Sequence, residues 1–148
     1  MARAAGAPAL RDFLTWRLHR VNKLTDKATS DAYAQAFGLP VGEARCLAAI
    51  GDAAPLSVNA LAAAANVDKG HASRAVQALV ERGLVSKLGS TADARSVVLA
   101  PTAAGLRLWK RVMGMIASRN DEIFACLSRA EQRELAALLD RVIAQAQA

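Results

Sequence analysis

Two helical patterns meet across Ala65-Asn66-Val67, and this three-residue junction constrains the fold more than any other stretch. Before it, Ser57 can cap a short helix running to Ala65, with Val58, Leu61 and Ala62 facing inward. After it, Asp68 can cap a helix that runs to about Arg82 and stops at Gly83. Asn is one of the few non-glycine residues that tolerate the left-handed backbone such a turn demands. The second helix carries an inner stripe of Ala72, Ala75, Val76, Leu79 and Val80. Its outer face holds Lys69, Gly70, His71, Ser73, Arg74 and Gln77. That face is polar and positive, with its hydrogen-bonding groups crowded toward the helix N-terminus. A helix that reads base edges in a major groove presents its contacts there. An ordinary amphipathic helix has the same apolar stripe, so the flanking residues must decide between the two.

Those residues alternate as strands do, first over Leu84-Val85-Ser86-Lys87-Leu88 and again over Ser96-Val97-Val98-Leu99. Between them, Gly89-Ser90-Thr91-Ala92-Asp93-Ala94-Arg95 makes a hairpin tip of small polar residues that ends in a cation. A hairpin directly after a helix-turn-helix is a wing, able to reach the adjacent minor groove. Arg95 suits that groove, where the negative potential is strongest over A·T-rich steps. Asp93 cannot face phosphates comfortably, and its expected role is to pair with Arg95 or a neighbouring cation and shape the tip.

At this point the chain resembles the MarR family (multiple antibiotic resistance regulators). The family's recognition-helix pattern is matched by Val67-Asp68-Lys69 through Ser73-Arg74, then Leu79 and Glu81-Arg82-Gly83-Leu84-Val85. Its wing pattern of aspartate, any residue, arginine is matched by Asp93-Ala94-Arg95, and its threonine-to-glycine pair by Thr102-Ala103-Ala104-Gly105. Each short match is weak alone; together they stand in the right order at the right spacing, from Leu10 to the C-terminus. Gly70 and His71 depart from the serine or threonine often found there. Asn66 replaces a usual glycine, and Ala44 replaces an aromatic residue, which enlarges any nearby pocket. The resemblance implies a mainly helical fold with a small β-hairpin wing and with N- and C-terminal dimerisation helices. It also implies double-stranded DNA as partner, a near-palindromic operator, and repression relieved by a small, often aromatic and anionic compound.

Charge agrees in its placement. From Asp68 to Arg111 there are eight basic and three acidic residues, which supplies +5 of the formal +6. From Arg119 to Ala148 there are four basic and five acidic residues. A basic centre between nearly neutral ends suits a polyanion, although a merely solvated basic surface has the same composition.

The flanks are helical and apolar. Leu10, Phe13, Leu14, Leu18, Val21 and Leu24 recur at three- and four-residue spacing, predicting one helix from about Leu10 to Phe37 that ends at Gly38. Pro40 fits the first turn of a second helix, which continues through Ala44, Leu47, Ala48 and Ile50 to Gly51-Asp52. A long helix is expected from Thr102 to about Leu127, with Leu106, Trp109, Met113, Ile116, Ile123, Phe124 and Leu127 mainly on one side. Ser128-Arg129-Ala130-Glu131 reads as a capping box that starts a last helix. These stripes exceed what a winged helix needs. Residues 1–37 and 102–148 are therefore expected to form a homodimerisation region around a DNA-binding region at 38–101, all in one continuous fold. A larger monomeric bundle is the alternative.

Catalysis finds no constellation. Adjacent carboxylates Asp121 and Glu122 diverge on a helix and cannot flank one substrate atom. His19 and His71 share no metal-site spacing with Cys46 and Cys126, and no phosphate-cradling glycine loop occurs. No cofactor is expected beyond a possible small aromatic or anionic effector. Trp16 and His19 share a face of the first helix, and with Arg45 on the second they can line an effector cleft in which Arg45 holds a carboxylate. Packing for Trp16 and solvation for Arg45 are equally open. Cys46, beside Leu47, reads as buried and reduced. No apolar run approaches the roughly 20 residues a membrane span needs, and the start lacks a hydrophobic export core, so a cytoplasmic protein is expected. The rival function is a winged helix that docks an acidic protein. Arg95 at the hairpin tip argues for DNA.

Overall fold

A computed structural model describes residues 6–89 and 97–148, and within them six α-helices and one two-stranded hairpin. Residues 1–113 and 114–148 form two compact units.

The first unit begins with a departure from the apolar periodicity. Leu10–Asp12 form a 3-10 turn, and Phe13 is extended (φ −79°, ψ 141°) before α1 (Leu14–Phe37) starts. The cause is local: Asp12 Oδ2 accepts the Ala9 N–H at 2.6 Å, closing a separate turn that apolar spacing does not reveal. Gly38 ends α1 in the left-handed conformation (φ 63°), its N–H donating to the Ala34 carbonyl. Pro40 caps α2 (Val41–Ala53) from outside the helix rather than occupying its first turn. Ser57 Oγ accepts the Ala60 N–H at 3.1 Å to start α3 (Val58–Ala64). Asn66 then turns the chain at φ 56°, and Asp68 caps α4 (Lys69–Glu81). Gly83 (φ 72°) leads into β1 (Val85–Leu88), which pairs antiparallel with β2 (Val98–Pro101) in the register Val85↔Pro101 and Leu88↔Val98. Leu56 adds a bridge, exchanging both backbone hydrogen bonds with Leu99. β2 runs two residues past Leu99, because Ala100 and Pro101 lack polar contrast yet still pair through their backbones. Of the expected second strand, Ser96 lies outside the described residues.

The core of this unit is built by Leu39, Leu47, Ile50, Leu61, Val76, Leu79, Leu99 and Val112, all fully buried, together with Cys46. Ala44 and Ala72, also inaccessible, keep α2 and α4 close, as small residues at a helix contact do. The start of α5 (Ala103–Ile123) belongs to this core. Trp109 Nε1 donates to the Ala48 carbonyl at 3.0 Å, and a side chain on Gly51 would collide with the indole. Trp109 thus leaves the apolar stripe assigned above to subunit association and tethers α5 to α2. Arg111 adds a tie to the end of α1, donating to the Ala36 carbonyl at 3.1 Å with its guanidinium 5.3 Å from the Phe37 ring centroid.

In the second unit α5 ends at Ile123, four residues earlier than expected, and residues 124–127 turn. Gln132 Nε2 donates to both the Phe124 and Leu127 carbonyls at 3.1 Å, satisfying groups the turn frees. The capping box forms in both directions at the start of α6 (Arg129–Gln147): Glu131 N–H to Ser128 Oγ at 3.1 Å, and Ser128 N–H to Glu131 Oε1 at 2.9 Å. α6 buries none of its residues, and Leu138, Val142 and Ile143 remain about half exposed or more.

Candidate nucleic-acid interface

The N-terminal turn of α4 is set by Asp68, whose Oδ1 accepts the His71 N–H at 2.7 Å. That hydrogen bond holds the Asp68 carboxyl below the usual aspartate range, and the Arg74 charge adds to the effect. The carboxylate also compensates the positive end of the helix. Helical geometry then places Gly70, Ser73, Arg74 and Gln77 on the arc farthest from the buried stripe of Ala72, Ala75, Val76 and Leu79. Lys69, Ser73, Arg74 and Gln77 are all exposed. Gln77 Nε2 donates to Glu81 Oε1 at 3.0 Å, which orients the amide along the outer face.

His71 differs from its expected place. One hundred degrees of turn per residue puts it on the flank of α4, and its ring lies against Gly42 of α2, half-buried. Periodicity separated inner from outer positions but carried no signal about which neighbouring helix the flank meets. The other end of α4 is moored to the same helix. Arg82 Nε lies 3.2 Å from the buried Glu43 Oε2, an ion pair between the end of α4 and the first turn of α2. Pro40, Val41, Gly42, Glu43, His71, Arg74 and Ala75 line a shallow groove between the two helices.

Lys87 is exposed on β1, and Gly89 leaves the strand at φ 107°. Asp93 and Arg95, the expected wing residues, lie outside the described residues.

The effector candidates separate. Trp16 is half-buried and His19 exposed on α1. Arg45, exposed on α2, lines an open cleft of about 700 Å³ with Arg20, Lys23, Leu24, Asp26, Lys27, Ser30 and Val41, while Trp16 and His19 are not among its walls. Arg20, Lys23 and Lys27 were missed in the sequence although their spacing of three and four places them on one helix face. Lys27 also donates to Asp31 at 2.8 Å, and this pairing holds its ammonium above the usual lysine range. Cys46 is buried, and desolvation, assisted by the Glu43 charge, raises its thiol above the ordinary range. Cys126 is exposed.

The profile of the MarR family matches residues 37–96, from the last residue of α1 to just before β2. The HTH-type transcriptional regulator BilQ of Clostridium symbiosum is 26% identical over 108 residues, covering 73% of this chain and 75% of that protein. The crystal structure of a MarR/EmrR family transcriptional regulator from an Acinetobacter species superposes with a TM-score of 0.83 at 25% identity, over 95% of this chain and 99% of that one. Over its DNA-binding stretch and in its fold, the chain is similar to MarR-family regulators. The fold is that of the winged-helix regulators, and the likeness supports a DNA-binding regulator. BpsR of Bordetella bronchiseptica, whose DNA binding is regulated by 6-hydroxynicotinic acid, shares the fold with a TM-score of 0.81 at 19% identity, over 93% of this chain and 97% of that one.

The threonine-to-glycine pair Thr102–Gly105 acquires a physical reason here. Thr102 N–H donates to the Leu84 carbonyl, and Gly105 lies so close to the same carbonyl that any side chain at 105 would strike it. Threonine closes the hairpin and glycine lets α5 pass over it. Among the described residues, no group of three or more His, Cys, Asp or Glu could hold a metal ion, and no helix is long and apolar enough to cross a membrane.

Proposed function

We propose that this chain is a homodimeric repressor of the MarR type that binds a near-palindromic operator and releases it when a small anionic effector binds. One observation carries the DNA-reading part: Lys69, Ser73, Arg74 and Gln77 stand exposed on the outer face of a helix that is followed at once by the hairpin. Ser73 and Gln77 take base edges, Lys69 and Arg74 take phosphates or guanines, and Arg95 reaches the minor groove with Asp93 shaping the tip. Residues 38–101 carry this surface, and residues 1–37 with 102–148 hold the subunits together.

Exposed apolar side chains support the dimer. Leu10, Leu14, Leu18, Val21 and Leu24 in the first unit, and Leu138, Val142 and Ile143 in the second, face water in the single chain. Apolar faces this extended mark association surfaces. The effector reading rests on Arg45 with Arg20, Lys23 and Lys27, four cations that outnumber the one carboxylate, Asp26, on the wall of the same cleft. The aromatic acid that regulates BpsR is a ligand of the chemistry such a cleft favours. Trp16 and His19 then serve packing and solvation on α1. The setting is cytoplasmic, where the regulated DNA is found.

A gel-shift titration of the purified protein on its own promoter region, against unrelated DNA of equal length, tests this function. Retardation of the promoter fragment alone supports it. Equal binding to both fragments, or to neither, contradicts sequence-specific regulation and favours a protein-docking winged helix.

A further inference from the structure

The contact between His71 and Gly42 has a consequence for how DNA is read. His71 occupies the first turn of α4, where a hydrogen-bonding side chain could reach a base, yet its imidazole is turned sideways against α2. It can lie there because position 42 has no side chain. A Cβ on Gly42 would overlap Nε2 and crowd Cε1, and both atoms belong to the far end of a side chain that can rotate. Gly42 is helical, so left-handed backbone freedom is not the reason for a glycine at this position. Its immediate effect is space. The backbone at position 71 is fixed independently, because Asp68 holds the His71 N–H and the Glu43–Arg82 ion pair moors the other end of the helix. With the helix held at both ends, a side chain at 42 displaces the ring before it displaces α4. The ring then swings out of the groove toward the exposed side of the first turn, beside Arg74.

We propose that Gly42 is a specificity-determining residue: by leaving room for the His71 imidazole against α2, it keeps that ring off the base-reading face of α4. The inference rests on the DNA-reading function above and deepens it. It assigns base discrimination to Ser73, Arg74 and Gln77, and gives His71 no base contact while Gly42 is present.

The test compares four full-length proteins, wild type, Gly42→Ala, His71→Ala and the double variant, by titration against a panel of single-base-pair operator changes at fixed salt. Specific binding by the wild type establishes the underlying function, so its failure is distinct from failure of this proposal. His71→Ala is expected to keep the wild-type ranking of operators. Gly42→Ala is expected to change the preferred base at one or two positions per half-site by about tenfold, the size of one gained or lost base contact. The double variant should return to the His71→Ala ranking, which a purely structural role for Gly42 would not produce. Three results overturn the proposal: altered base preference in His71→Ala, a uniform loss across the panel in Gly42→Ala, or no rescue in the double variant. If Gly42→Ala does not fold, the His71→Ala ranking decides, since an unchanged ranking supports the stowed ring and a changed one refutes it.

Discussion

Thr102 Oγ1 donates to the Gly83 carbonyl at 2.7 Å across nineteen residues of chain, and the same oxygen accepts the Gly105 N–H at 3.0 Å. One hydroxyl therefore joins the end of the reading helix to the start of α5 and closes the base of the wing between them. Thr102→Ala is expected to cost about 1–2 kcal/mol, the range for a lost N-cap with a second hydrogen bond, while Thr102→Ser stays near wild type. Chemical denaturation at neutral pH measures both. Equal stability of the alanine and serine variants would show that the hydroxyl contributes nothing.

Gly105→Ala should be worse than its chemistry suggests. The added methyl meets the Leu84 carbonyl, a backbone group that cannot rotate aside, so the hairpin and α5 must separate. A loss of about 1–3 kcal/mol is expected, in the range of overpacked sites, with weaker operator binding because the wing is rooted there. Unchanged thermal unfolding would refute the close approach.

Asp68 makes the N-terminus of α4 sensitive to acid. Its carboxyl lies below the usual aspartate range when folded, so its contribution is present above the unfolded value and is lost as pH falls through the folded one. Asp68→Asn keeps a good cap without a titrating group. The stability difference between wild type and Asp68→Asn should be constant at neutral pH and shrink in acid, below the ordinary aspartate range. Denaturation of both proteins across that range checks it, and a parallel dependence would contradict the assignment.

Arg45 gives the effector reading its test. With 6-hydroxynicotinate as probe, calorimetric titration of the wild type should show saturable binding, and Arg45→Ala should weaken it by about tenfold or more, as expected for a charge-assisted hydrogen bond. Trp16→Ala should affect binding less, since Trp16 is not on the cleft wall. Equal affinity in the wild type and Arg45→Ala would remove Arg45 from the site.

Much of this architecture is legible in the sequence because local chemistry decides it. Ser57, Asp68 and the Ser128–Glu131 pair cap the helices they were expected to cap, and Asn66 turns the junction at positive φ. Each of these signals acts over four residues or fewer. What was not legible depends on partners distant in sequence. Trp109 reads as one more apolar position of α5, and only the Ala48 carbonyl, sixty-one residues earlier, makes it part of the first unit's core. His71 sits on the edge of the reading helix, and only Gly42 determines which way its ring turns. The cleft around Arg45 takes three of its cations from α1, and neither helix alone shows that they meet. Periodicity finds faces; it does not say what covers them.

The most direct test of the central claim is repeated selection of random DNA by the purified full-length protein, followed by sequencing of the bound fragments. The account predicts one enriched near-palindrome whose half-site centres lie about 10–10.5 base pairs apart, the spacing at which a two-fold dimer presents two recognition helices to successive major grooves. Enrichment of no motif, with every fragment bound alike, would contradict it and leave the basic surface as a non-specific polyanion contact.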